Sequence, residues 1–593
     1  MSKTKNDIDT LKHAASAPPD AMKPYYDVTD GGLYYVGVTS DRKSGAVGYA
    51  APLRLCDALE IDGRGVNENG EHFRVVRWLT QSERREITLA LPAADIGDRE
   101  GWRSLKKNGL AISASRQRLE LLADYLLMHG SKTLYHITDS GGWSGSAYIL
   151  PSGEILGTPE RPLLYNGDRS NAASYSASGS VEDWRRTVAA LAQGNARAML
   201  AIGCALAAPL LRLSGLESGG FHLFGDSGDG KTTSAAIGAS VWGSPEGQKL
   251  SWDSTPLALS NAAAARNDGL MWLDEVGQGR ADDVGLAAYR LFNGVGRMQG
   301  AKDGGNRALS RFKSLVFSTG EAPLNIFMGA GGKRIHAGQE ARLPDIPADA
   351  GCGMGVWENL HGCASPGELA EALERHAQAF HGSAGRAFLQ VVTNQRAEVT
   401  AQLRETLDAW RQKLPADASG QARRVTSRFG LVAVALEIAG LHGITGWPPG
   451  EATAAIERCY SAWRTRKGTG KQEDVRIVEQ AEDWFALNAL GRFVSDEEAK
   501  RLIGMVTVQN AAGRRTSTNG RDVYLVFRGA FDSEIARGFE PSKAAKVLHE
   551  AGMLKRDNNG KYQVPARMPG HNKTVRVYAF MNTTAQDGGE PEE

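Results

Sequence analysis

Apolar residues in this chain recur with two periods, and the changes of period divide it into units. Gly32–Val38, Phe73–Leu79 and Glu86–Pro92 are short runs rich in aromatic and β-branched residues, a pattern that predicts strands. Arg116–His129 spaces its apolar residues as a helix does, and Thr133–Ile137 and Ala147–Leu150 return to strand. The stretch Gly157–Ser180, rich in Gly, Ser, Asn and Pro, predicts a linker. Ser180-Val-Glu-Asp183 is a capping box that opens a helical stretch running to about Leu213. Over 219–345, apolar strands alternate with longer helical segments, as βαβ units around a parallel sheet require. Arg424–Arg466 reads as helix, broken at Gly446-Trp-Pro-Pro-Gly450. Beyond it, a capped helix from Ser495 and Glu498, a strand over Val523–Arg528, a helix over Ser542–Ala551 and a hairpin turning at Asn559-Gly560 follow. A strand over Val575–Phe580 completes that unit, in the order of a winged helix.

The expected division is a flexible leader over 1–24, an α+β N-terminal domain over 25–178 and a central α/β core over 179–415. A helical lid over 416–470, a winged-helix-like domain over 471–580 and a disordered acidic tail over 581–593 follow. A chain of 593 residues is too long for one core, which agrees. The net charge of +1 removes any global electrostatic case for nucleic acid, so a basic surface has to be local. Five scattered cysteines argue for a reducing compartment rather than a disulfide framework. Cys352 and Cys363 lie near His336, His361 and His376, but without a CxxC pair the preferred reading is buried or idle residues, not zinc. The polar start has no signal-like apolar region. The apolar stretch Ala198–Leu211 is shorter than the roughly 20 residues a membrane span needs. A cytoplasmic protein without membrane contact is expected.

The chemistry sits in the centre. The short apolar strand Phe221–Phe224 runs straight into Gly225-Asp226-Ser227-Gly228-Asp229-Gly230-Lys231-Thr232-Thr233, the full GxxxxGK[ST] pattern, and a helix-compatible segment follows. Glycines let the backbone curl so that its N–H groups converge on phosphate oxygens, and the helix start adds positive potential. Lys231 can reach the β- and γ-phosphates of ATP, and the Thr232 hydroxyl can ligate Mg²⁺. Further on, Leu270-Met-Trp-Leu-Asp274-Glu275 is a buried strand ending in adjacent carboxylates. Asp274 suits the Mg²⁺ shell, while Glu275 suits orienting and deprotonating the attacking water.

At this point the chain resembles a known family. The residues that carry the likeness are Gly219–Thr233, Val241-Trp-Gly243, Asn267-Asp268, Leu273–Glu275, Ala288-Tyr289, Asn293-Gly294, Ser318–Glu321 and Arg342–Pro347. The helices of Arg424–Trp463, with their Gly-Trp-Pro break, fit as well. They are similar to the "domain of unknown function" family DUF927, carried on phages and other mobile elements, whose members include self-loading helicases of staphylococcal cassette chromosomes. The resemblance spans roughly 35–465. It implies an α/β AAA+ P-loop core related to minichromosome-maintenance (MCM) helicases, acting as a homo-hexameric ring on DNA.

The resemblance also implies roles. The basic segment Gly294–Lys313 falls where MCM-like motors insert a channel hairpin, with Asp303-Gly304-Gly305 as its tip. Arg297, Lys302 and Arg307 are then the candidates to grip a single strand of DNA, a solvated basic loop being the alternative. Leu315–Thr319 fits the strand whose polar end senses the γ-phosphate. The usual Asn is replaced there by Ser318 or Thr319, and Thr319 joins Lys231, Asp274 and Glu275 among the catalytic candidates. Arg342 matches the position of an arginine finger acting on the neighbouring subunit, a structural ion pair being the alternative. Arg424 or Arg428 is a candidate second sensor. Trp143, in a glycine-flanked turn, fits the family pattern but reads as packing. The C-terminal unit, with Lys500, Arg501, Arg514, Arg515 and Arg521, suits duplex DNA, a partner protein or a structural role. No primase-like acidic cluster is present, so a priming or replication partner would be separate.

The leading expectation is therefore an ATP-dependent DNA helicase, replicative or self-loading. An AAA+ ATPase that remodels or senses protein–DNA complexes is the second, and a non-catalytic, ATP-ordered DNA-binding assembly factor the third.

Overall fold

A parallel sheet covered on both faces needs strands that are apolar throughout, and the central segments satisfy this. In the computed structural model, which describes residues 22–298, 300, 309–330, 341–416, 418–467, 472–497, 510–518, 521–568, 571 and 573–581, the strands Gly219–Phe224 and Ser314–Gly320 are buried at every position. The sheet runs, edge to edge, Leu250–Ser251, Gly269–Asp274, Ser314–Gly320, Gly219–Phe224 and Asp345–Pro347, all parallel. The strand ending in Thr319-Gly320 is thus inserted between the one that leads into the glycine loop and the one that ends in Asp274. This is the sheet of a P-loop NTPase core, and it brings both motifs to one edge. Gly220 permits the central pair to approach closely, since a side chain there would collide with the Val316 backbone.

Helix Ala196–Ala207 is buried all round and packs its small residues against helices Lys231–Ala239 and Gly420–Leu441. Gly203 meets Val432 and Leu436, and Gly238 meets Ala201. One apolar core therefore joins the sheet to helices Gly420–Leu441 and Glu451–Lys467, so the segment expected to form a lid shares the core of the parallel sheet. The helical stretch after the Ser180–Asp183 capping box is interrupted at Gln193–Asn195 and again at Pro209.

The N-terminal unit holds a five-stranded sheet ordered Leu163–Tyr165, Leu134–Thr138, Leu59–Asn67, His72–Leu79 and Glu86–Pro92, and a three-stranded one. The expected linker Gly157–Ser180 is corrected here. Its Leu163–Tyr165 strand pairs with Leu134–Thr138 and buries Leu163 and Tyr165, so a Gly- and Pro-rich stretch serves as an edge strand. A separate small meander, Gly142–Ser144, Ala147–Ile149 and Ile155–Leu156, plants Trp143 and Tyr148 in the apolar core of the central unit.

The C-terminal unit has its own core. Helices Gln472–Asn488 and Pro541–Glu550 cover a sheet ordered Phe493–Ser495, Gly513–Thr518, Arg521–Phe527, Val575–Met581 and Leu554–Lys555. The turn at Asn559-Gly560 is present, with Gly560 at φ 76° and its N–H donating to the Asp557 carbonyl, but the expected hairpin is corrected: Leu554–Lys555 and Gln563–Ala566 do not pair with each other and both pair with Val575–Met581. The winged-helix order is present, extended by the strand pair at the far edge. Glu498, Lys500 and Arg501, the 1–21 segment and the acidic tail from 582 lie outside the described residues. Among the described residues no helix is long and apolar enough to cross a membrane.

Candidate active site

Two glycines shape the loop that follows Phe224. Gly228 and Gly230 stand at φ 89° and 85°, a region closed to most side chains, and Gly230 is the N-cap of helix Lys231–Ala239. A side chain at Gly230 would also press on Val356 and Trp357. Those residues belong to a segment that crosses the loop after the Asp345–Pro347 strand, where the Val356 N–H donates to the Asp229 carbonyl at 2.9 Å. Lys231 is buried, and its ammonium donates to the carbonyls of Gly225 (2.8 Å) and Asp226 (2.6 Å), which aims it across the loop. Thr233, counted with the loop on sequence grounds, turns its hydroxyl to Glu374 at 2.6 Å on helix Pro366–Ala379. That hydroxyl anchors the helix rather than facing a phosphate.

The acids converge on the same edge. Asp274 Oδ1 accepts from Thr319 Oγ1 at 2.7 Å and from Thr232 Oγ1 at 3.3 Å. Its Oδ2 pairs with Lys249 Nζ at 2.5 Å. Glu275 is held at φ 44°, a left-handed conformation costly for a non-glycine residue. Its backbone N–H donates to Thr319 Oγ1 at 3.0 Å, so one hydroxyl fixes both carboxylate residues. The turn leaves the Glu275 side chain half-buried at the rim, accepting from the Gly277 N–H at 3.1 Å.

Ser318 and Thr319, undecided from sequence, separate because successive strand residues face opposite sides. Ser318 Oγ accepts from Trp252 Nε1 at 2.9 Å and lies 2.9 Å from His222 Nδ1, while His222 Nε2 lies 3.0 Å from the Ala322 carbonyl. The carbonyl can only accept, so Nε2 carries the proton and Ser318 donates to Nδ1. Burial pushes the pKa of His222 below the ordinary histidine value, which suits that neutral ring. Ser318 is spent inside, and Thr319 faces the acids. Thr319→Val is expected to lower kcat by about 10- to 100-fold with little change in KM, since losing the hydrogen bond to the Asp274 carboxylate and the hold on the Glu275 backbone acts on the chemical step more than on binding. Steady-state phosphate release checks this; an unchanged kcat would exclude Thr319.

The donor set fits MgATP. Thr232 and Asp274 offer hard oxygen ligands at one point, beside an ammonium and a helix start suited to phosphates. Three further neighbours escaped sequence reasoning. Lys249 reaches Asp274 from outside any motif, Glu374 ties down the loop helix, and Arg466 stacks its guanidinium 4.5 Å from the centre of the Phe224 ring. Only the cluster of basic residues ending helix Glu451–Lys467 hinted at Arg466.

The remaining candidates lie elsewhere. Arg342 sits at the opposite edge of the sheet, its carbonyl accepting from Gly220 N–H at 2.8 Å. Its guanidinium donates to Asn293 Oδ1 at 2.5 Å and pairs with Glu217 at 3.3 Å. Arg428, a candidate second sensor, is corrected: it is buried under Gly219, donates to the Ala341 carbonyl at 2.9 Å and cannot reach the loop. Arg424 lies about one turn before it on the same helix. The basic segment after helix Ala281–Asn293 begins as an antiparallel pair. Val295 bridges Arg311, Gly296 N–H donates to Ser310, and Phe312 N–H donates to Gly294. Arg297 is exposed just beyond that base, while Lys302, Arg307 and the expected tip Asp303–Gly305 lie outside the described residues.

Residues 26–311 match a family model described as "Domain of unknown function (DUF927)". A solved structure described as "SCCmec type IV Cch - active helicase" aligns over 95% of this chain and 98% of its own, with a TM-score of 0.69 at 15% identity. At that identity the likeness is one of fold. No curated protein matches the sequence.

Proposed function

We propose, from the match of residues 26–311 to the DUF927 family model, that this chain is an ATP-dependent DNA helicase, an AAA+ motor working as a ring of identical subunits in the replication or self-loading of a mobile element or phage. The observation that carries this reading is the convergence of Lys231, Thr232, Asp274, Glu275 and Thr319 at one sheet edge. Loop amides and Lys231 bind the triphosphate, and Thr232 and Asp274 hold Mg²⁺, which supplies neutralising charge when bound. Glu275 takes the proton of the attacking water, and Thr319 keeps both acids in register.

Arg342 supports the ring. The six-residue strand Gly219–Phe224 separates it by roughly 17 Å from its own loop, so any nucleotide it serves belongs to another subunit. Around it, Arg212, Arg311 and Lys313 line a shared pocket whose cations suit a phosphate. Leu286, Tyr289 and Ile326 stand 45%, 56% and 56% exposed on helices Ala281–Asn293 and Leu324–Ala330, which pack on each other, and this apolar face suits a second copy. Arg297, Lys302 and Arg307 would grip one DNA strand in the channel, and the C-terminal unit would engage duplex or a partner.

Mixing tests the shared site. Arg342→Ala and Lys231→Ala chains, each inactive alone, are expected to recover part of the phosphate release when combined. An absence of recovery argues that Arg342 is a structural ion pair. Single-stranded DNA is expected to stimulate the parent chain several-fold. Hydrolysis without strand displacement would favour the remodelling reading, and no hydrolysis the assembly-factor one.

A further inference from the structure

At the edge of the sheet farthest from the active site, one carboxylate joins three units. Asp268 is fully buried just before the Gly269–Asp274 strand. Its Oδ2 accepts from the Trp143 backbone N–H at 3.1 Å, from Arg212 Nε at 2.8 Å and from Asn267 Nδ2 at 3.4 Å. Its carbonyl accepts from the Tyr148 hydroxyl at 2.9 Å. Its own N–H donates to the Lys313 carbonyl at 2.6 Å, and Lys313 N–H donates back to Asn267 Oδ1 at 2.9 Å. Trp143 is itself pinned, with Nε1 donating to the Pro209 carbonyl at 2.7 Å and Arg396 stacked 4.9 Å from its ring centre. Gly142 has φ 84°, and a side chain there would strike Asn267 and Asp268.

A plain turn does not require this residue. Asp268 stands at φ 55°, which Gly or Asn accepts equally well. The carboxylate is demanded only by its donors, the Trp143 backbone amide, the Arg212 guanidinium and the Asn267 side-chain amide. Burying an anion is costly unless it is paired, and burial does push the Asp268 pKa upward while Arg212 pulls it back.

What the carboxylate holds is the root of the active-site strands. Asp268 leads into the strand ending at Asp274, and Lys313 leads into the one ending at Thr319. The two strands are hydrogen-bonded in register from Gly269↔Ser314 to Leu273↔Ser318. Lys313 also closes the paired base of the basic segment, one residue beyond Phe312. We infer that Asp268 is a positioning residue that couples the N-terminal meander to the paired base formed by Gly294–Gly296 and Ser310–Lys313 and, through the two strands, to Asp274 and Thr319. In the reading proposed above, on which this use of the coupling rests, DNA engaging the basic segment that this base carries would reach the hydrolytic site through this node.

The test uses the full chain carrying Asp268→Asn, which tolerates the left-handed turn, and separately Tyr148→Phe, which removes one O–H donor and leaves the carboxylate. Hydrogen exchange at the Gly296 and Phe312 amides is expected to quicken at least about fivefold in both variants. Basal phosphate release is expected to stay within about twofold of the parent, while its stimulation by single-stranded DNA falls about fivefold or more. Parent-like exchange and parent-like stimulation would overturn the inference, as would basal and stimulated rates falling in proportion, the mark of a merely structural residue. If Asp268→Asn does not fold, the exchange result for Tyr148→Phe decides in the same two directions. If the parent itself is not stimulated by DNA, the helicase reading fails while the exchange measurement still decides the node.

Discussion

Glu275→Gln is expected to bind MgATP as the parent does and to release phosphate at least about 100-fold more slowly. Gln has the shape of Glu and can still accept from the Gly277 N–H, so the left-handed turn and the Thr319 contact to the Glu275 backbone survive. It lacks the basic oxygen that would take the proton of the attacking water. The substitution therefore removes one chemical capacity and leaves the geometry in place. Equilibrium binding of a fluorescent ATP analogue, measured beside steady-state phosphate release, separates the two quantities. Release within a few-fold of the parent would mean that the base lies elsewhere, and weakened binding would mean that Glu275 helps to build the pocket.

Lys231→Ala is expected to abolish measurable ATP binding, with a loss of about 100-fold or more. A charge-assisted hydrogen bond contributes roughly 1.5–3 kcal/mol, and an ammonium serving two phosphates contributes more than one such bond. The fold should persist, because the two carbonyls that Lys231 engages, Gly225 and Asp226, lie in the loop at the protein surface, where water can replace it. The same binding titration with a thermal melt checks both halves. Parent-like affinity in a folded variant would remove the phosphate loop from the account.

The parts of this site legible in the sequence are those set by local backbone geometry. A glycine loop between strand and helix, and two acids ending a buried strand, announce themselves because each must be continuous in the chain. The antiparallel pairing of Val295 with Arg311 agrees with what the resemblance implied for the basic segment, and no local pattern announced it. Choices made across the fold were not. Ser318 and Thr319 differ in role only because Trp252 and His222 fill one side of their strand and Asp274 the other. Lys249 and Arg466 reach the site from helix ends with no motif, and Thr233 leaves it for Glu374. Arg428, a candidate second sensor by resemblance, is buried beneath Gly219. The Gly157–Ser180 segment misled because turn-forming residues flank a strand of three residues, too short for alternation to register.

Strand separation driven by hydrolysis at the Asp274–Glu275 edge is the central claim, and displacement of a labelled strand from forked duplex DNA measures it directly. The parent chain is expected to release the strand with ATP and Mg²⁺ but not with a non-hydrolysable analogue, and Glu275→Gln is expected to release none. Equal displacement by the parent and Glu275→Gln, or none by a parent chain that hydrolyses ATP, would contradict the account.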